Sequence, residues 1–180
     1  KIPLINKINI SRYDNIVLDK YRYDNDQTLD GVLFMFITCD REEYKDRRDN
    51  LLEFLKTFKH NYIIVKGDCN RVSYDRDTNT LHLNIEEKYE NLPKKILRGI
   101  QWIYQNYPDI NYVYKVDDNF ATNIMNYIPC NFREYDYYGN FVINTLIRTW
   151  HFGKCIDDKL NETEYSGELI FPYAGGGRGY

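Results

Sequence analysis

Histidine is scarce in this sequence, and its four cysteines (Cys39, Cys69, Cys130 and Cys155) lie far apart, with no Cys-x-x-Cys pair and no two histidines at ligand spacing. A zinc site is therefore not expected, and disulfide pairing stays open. No run approaches the roughly 20 apolar residues of a membrane span, and no signal-peptide pattern opens the chain, so a membrane segment is not expected here. Positive charge is not in excess either: 24 Lys and Arg against 27 Asp and Glu leave a net charge of -3. No general attraction to nucleic acid follows, and a phosphate-bearing ligand would need a local cluster to hold it. Glycine is thin until the end, "AGGGRG" (Ala174 to Gly179), which lacks the Gly-Lys-Ser/Thr of a P-loop and the spacing of a dinucleotide fingerprint.

What is present is apolar and aromatic: 43% hydrophobic and 16% aromatic residues over 180 positions support one domain with its own core. The first thirty residues alternate short apolar and Asp/Asn-rich runs and read as an N-terminal appendage, leaving 31–180 as the main domain. "VLFMFIT" (Val32 to Thr38) predicts a central strand covered on both faces. Asp40 with Glu43 resembles a capping box ahead of a helix carrying Tyr44, Leu51, Leu52, Leu55 and Phe58. "YIIVKGD" (Tyr62 to Asp68) predicts a second buried strand stopped by Gly67, the polar "NRVSYDRDTNT" a loop, and "LHLNI" a short strand. Asn91 as N-cap with Pro93 in the first turn opens a helix with Leu92, Ile96, Ile100, Ile103 and Tyr107 on one face, ended by Pro108. Tyr112 to Val116 predicts a third strand. Strand, helix, strand, helix, strand is the order of a doubly wound α/β sheet, in which ligands bind beyond the carboxyl ends of the strands. If the strands are parallel, Thr38 with Asp40, Asp68, and Asp117 with Asp118 converge on one rim.

An apolar strand that ends in two carboxylates needs a cation or solvent at its tip. Asp117, Asp118 and Asn119 offer hard oxygen ligands suited to Mg²⁺ or Mn²⁺ held together with a diphosphate; a simple strand-ending turn explains the same residues about as well. Lys94 and Lys95 lie in the first turn of their helix, where a bound phosphate would favour them, although a pair of solvated lysines is the plainer reading. Arg41, Arg47 and Arg48 stand near Thr38 in sequence. The terminal glycines let backbone approach a ligand closely. His151 is either a base, a metal ligand or a packed ring, and Tyr137, Tyr138, Trp150 and Phe152 are rings able to stack on a sugar.

In order, these elements resemble the β-1,3-galactosyltransferase and fringe family of inverting glycosyltransferases with the GT-A fold, from about Val32 to the end. "EKYENLPKK" is similar to the family's Asp-x-Tyr-x-Asn-Leu-Thr-x-Lys element and sets its lysine at Lys95. "YVYKVDDN" is similar to Tyr-x-x-Lys-x-Asp-Asp-Asp, with Asn119 in place of the last aspartate, and "FGK" at Lys154 and "FPYAGGGRGY" resemble later elements. The resemblance implies a GT-A fold with a mostly parallel central sheet flanked by helices. It also implies a nucleotide-sugar donor, most often a UDP-sugar, transferred with Mn²⁺ (or Mg²⁺) to a glycan or glycoprotein acceptor. Donor binding falls to Thr38, Arg41, Arg48, Asp68, Lys95, Asp117, Asp118, Gly175, Gly176 and Gly177, the metal to Asp117, Asp118 and Asn119, and the acceptor side to Tyr173 and His151. The family's Glu-Asp-Val base element and a later metal-binding histidine would fall beyond Tyr180, so the fold is expected to be cut short at its C-terminus, with the base unassigned. Asn119 and that absence favour, as an alternative, a module that holds a nucleotide sugar or glycan without transferring it. A Mg²⁺-dependent phosphohydrolase explains the Asp pair but neither of the other motifs.

Overall fold

A computed structural model describes residues 29–67, 70–119, 124, 128, 131–142, 149–164, 173–175 and 179. The appendage up to 28, Asp68, Cys69, Cys130, Gly176 and Gly177 lie outside the described residues. In chain order the elements are β1 (Val32–Ile37), α1 (Lys45–Leu55), β2 (Tyr62–Lys66), β3 (Ser73–Asp75), β4 (Thr80–His82), α2 (Leu92–Asn106), β5 (Tyr112–Asp117), β6 (Asn140–Val142), α3 (Asp158–Glu162) and β7 (Tyr173–Gly175).

The main sheet has the order β3-β4-β2-β1-β5. β1 pairs in parallel with β2 and with β5, and β2 pairs in parallel with β4, while β3 runs antiparallel to β4. From β1 the chain moves through α1 to β2 and then β4 on one side, and only afterwards crosses through α2 to β5 on the other. The winding reverses between β1 and β5, where an open α/β sheet leaves a crevice.

Every residue of β1 is buried, as expected of a strand with cover on both faces. Phe34, Phe36, Ile64 and Val116 pack with Leu51 and Leu55 of α1 on one face; Leu33, Met35, Ile37, Val65 and Leu81 pack with Ile103 of α2 on the other. Mixed α/β architecture with a mostly parallel sheet is thus present.

Four local expectations are corrected. The predicted loop after Gly67 contains β3, turned back onto β4 through Arg76 to Asn79, with Asn79 in the left-handed region at φ 51°. A short polar side chain tolerates that conformation, so polarity alone concealed a hairpin. The strand expected over "LHLNI" is instead Thr80–His82. Asp40 caps nothing: a 3-10 turn, Glu42–Tyr44, precedes α1 without a side-chain cap, and Asp40 instead meets Lys66 at 2.8 Å. Leu52 is exposed, and on α2 the buried positions are Lys95, Gly99 and Ile103, with Ile100 outside. Gly99 explains that rotation, since a Cβ there would stand 3.0 Å from the Met35 sulfur, so the helix backbone lies close on the sheet and turns Lys95, one helical turn earlier, inward.

Candidate functional site at the sheet's switch point

The last residue of β5, Asp117, lies opposite Ile37 of β1. One residue further on, the Thr38 hydroxyl donates to Asp118 Oδ2 at 2.8 Å. The expected convergence of strand ends is therefore realised for Thr38 and the Asp pair, and it falls at the switch point.

Side chains alternate across a strand, and the two carboxylates divide accordingly. Asp117 shares its face with Lys115, whose Nζ stands 2.6 Å from Asp117 Oδ1, and its charge acts on half-buried Tyr89, in the turn before α2. That Oδ1 is buried and accepts no hydrogen bond, so its tie to the ammonium is one of charge. Asp118 takes the α1 side. Burial raises its carboxyl above the ordinary range and the neighbouring Asp117 adds to this, while the Thr38 hydroxyl and the charge of Arg47 act in the opposite sense. The two charges at the tip of an apolar strand thus find counter-groups within the chain: Lys115 faces one carboxylate, and Thr38 and Arg47 serve the other.

The remaining rim is held by cations from three elements. Lys66 of β2 meets Asp40, and Arg48 of α1 donates to the Cys39 carbonyl at 3.1 Å and stands 3.6 Å from Asp40. Lys95 of α2 donates to the Thr38 carbonyl at 3.0 Å and to both oxygens of Glu87, at 3.0 and 2.7 Å. Lys95 is only 4% exposed, which overturns both the solvated lysine and the ammonium facing outward to a phosphate. Arg41 pairs with Glu43 and lies 5.8 Å from the Tyr44 ring centre; Arg47, at 5.2 Å, shares that ring. Burial raises the Cys39 thiol above its ordinary range.

Glu87 went unnoticed among the site residues, although it opens the "EKYENLPKK" element that Lys95 closes. Their spacing was the available signal. Glu87 Oε1 also accepts from the Gly67 amide at the end of β2, where a Cβ would collide with the Ile85 carbonyl oxygen, so only glycine fits. In the same element, Glu90 Oε1 accepts the amides of Ile156 and Asp157 at 2.8 and 2.9 Å, and Lys154 stands 5.3 Å from the Tyr89 ring centre. The segment bearing Lys154 is thereby tied to the turn before α2.

The other expected residues have these partners. His151 Nε2 lies 2.9 Å from the Thr163 carbonyl oxygen, and its ring meets Phe152 edge-on. Tyr173 and Gly175 pair with Val142 and Asn140 in the β6–β7 ribbon. Trp150, Phe152 and Tyr137 are exposed, and Tyr138 lies 5.9 Å from Tyr135, ring centre to ring centre.

Among the described residues, no group of three or more His, Cys, Asp or Glu forms a metal cage. Asp117, Asp118 and Asn119 suit a hard divalent ion only as partial ligands, with water and a diphosphate completing the shell, which is how Mg²⁺ is commonly held. Lys115 already stands at Asp117 Oδ1, so a cation bound through that oxygen would have to share or displace the ammonium. A comparison with curated proteins found no match. A family profile described as Galactosyltransferase matches residues 74–180, well over half of the chain, from β3 through the Asp117–Asp118 rim to the end. On that match the chain belongs to the galactosyltransferase family.

Proposed function

We propose that residues 31–180 form a GT-A-type nucleotide-sugar-binding domain of an inverting glycosyltransferase, with 1–30 as its appendage. Its donor, a UDP-sugar, lies over the Thr38–Asp118 rim and its acceptor is a glycan or glycoprotein hydroxyl. The observation that carries this reading is the Thr38–Asp118 hydrogen bond at the switch point of the sheet, in a chain of this family. Thr38 and the Asp pair fix the donor's ribose and diphosphate end; Arg47, acting on Asp118 from α1, supplies positive charge there. Arg48 shapes the rim through Cys39 and Asp40. Mn²⁺ or Mg²⁺ shared by Asp117, Asp118 and Asn119 would offset the charge that develops on the leaving diphosphate. Attack by the acceptor hydroxyl on the anomeric carbon inverts its configuration, and the hydroxyl's proton passes to a base that no described residue supplies.

A second reading, a module that holds the nucleotide sugar without transferring it, draws on Asn119, a neutral ligand, and on Lys115, which already faces Asp117. Calorimetric titration with UDP, then with UDP- and GDP-sugars, with and without Mn²⁺, tests the site. Metal-dependent binding is expected. Asp117→Ala and Asp118→Ala are each expected to abolish it; each also lowers the melting temperature, the first by stranding the buried Lys115 ammonium and the second by removing the acceptor of the Thr38 hydroxyl, so binding is read at a temperature where circular dichroism shows the fold intact. Parent-like affinity in both variants would remove the assignment. Binding without release of UDP in the presence of any acceptor favours the module.

A further inference from the structure

We infer that Lys95 and Glu87 are positioning residues for the rim: a buried ion pair that sets Thr38, and through it Asp118, at the depth the ligand requires. The inference rests on the donor site proposed above.

Thr38 is tied through three of its groups. Its amide donates to the Val65 carbonyl of β2 at 3.2 Å, its carbonyl accepts from Lys95 of α2, and its hydroxyl donates to Asp118 beyond β5. Lys95 is the tie with the least freedom. A buried ammonium cannot exchange a lost partner for water, so its place is set by its acceptors, which here are the Thr38 carbonyl and both oxygens of Glu87. Glu87 in turn holds the Gly67 amide. One pair, eight residues apart in sequence, therefore joins the ends of β1 and β2 to the start of α2. Its hydrogen-bonded path to Asp118 runs through Thr38.

Removing one partner would strand a buried charge, so the informative change removes both: Glu87→Leu together with Lys95→Met, an apolar pair of similar volume that lets the fold persist. Glu87→Gln together with Lys95→Met, which strands no charge and keeps an acceptor for the Gly67 amide, is the second variant and carries the same comparison if the first does not fold. Two readouts apply. Amide hydrogen exchange is expected to accelerate at Thr38 and Asp118 while Phe34, Ile64 and Val65 stay protected. The UDP dissociation constant in Mn²⁺ is expected to rise by about tenfold, the lower end of what loss of a supporting partner costs a site. Combined with Thr38→Val, the loss should be less than additive, since all three residues act along one path. A purely structural pair would lower the melting temperature and leave rim exchange and UDP affinity at parent values in the folded variant, and that result overturns the inference. Failure of the parent chain to bind UDP would instead count against the donor reading, with the exchange experiment still deciding what the pair does to the rim.

Discussion

At the scale of single residues, the rim turns on which way a side chain faces. The sequence pattern located the carboxylates correctly because strand ends are marked by the change from apolar to charged residues, and Asp117 and Asp118 sit at that change. It misdirected Lys95 because helix-start lysines ordinarily face water; the inward turn comes from Gly99 lying close on Met35 and Val65, a packing fact that no local pattern carries. Thr38 is the residue whose role is most separable. Valine matches its shape but cannot donate, so Thr38→Val leaves a partly buried carboxylate oxygen without its hydroxyl partner. A loss of about 2 kcal/mol is expected, the range for a hydrogen bond to a charged group, measurable by urea denaturation.

At the scale of elements, the hairpin of β3 and β4 escaped notice because its apolar content is small and its turn is polar throughout. Its attachment is aromatic and polar together: Tyr74 packs against Trp102 with ring centres 4.9 Å apart and planes tilted by 45°, and donates to Asn79, while Tyr107, at the end of α2, donates to the Tyr74 oxygen at 3.0 Å. Burial above all pushes the Tyr74 hydroxyl up to about 12, above its ordinary value of 10.0. A phenol whose folded pKa exceeds the unfolded one stabilises the fold fully below pH 10, and that contribution is lost as pH rises toward 12. Tyr74→Phe should therefore be less stable than the parent at pH 8, by about 1 kcal/mol for one neutral hydrogen bond. The gap should narrow steadily above pH 10 in denaturant titrations; a constant gap would contradict this account of Tyr74. By contrast α2 was legible at both ends, from Pro93 in its first turn and Pro108 beyond its last, because proline acts through covalent geometry and not through context.

At the scale of the molecule, the order of elements was readable and the order of strands was not. Alternating strands and helices specify a parallel sheet, but only the pairing of β1 with both β2 and β5 puts the reversal of winding beside Thr38 and Asp118. The hydrogen bond that closes this rim joins residues 80 positions apart. So long a separation has a kinetic meaning. Contacts that close large loops form only after the loop's entropy has been overcome, and the β1–β5 junction must wait for α1, β2, the hairpin and α2 to find their places. The rim is therefore expected to assemble after the folding barrier, its bonds governing how long the native state lasts more than how fast it is reached. In stopped-flow chevrons, Thr38→Val should leave the refolding arm unmoved and raise the unfolding arm, so that a ligand seated across β1 and β5 works as a latch on the native state's lifetime.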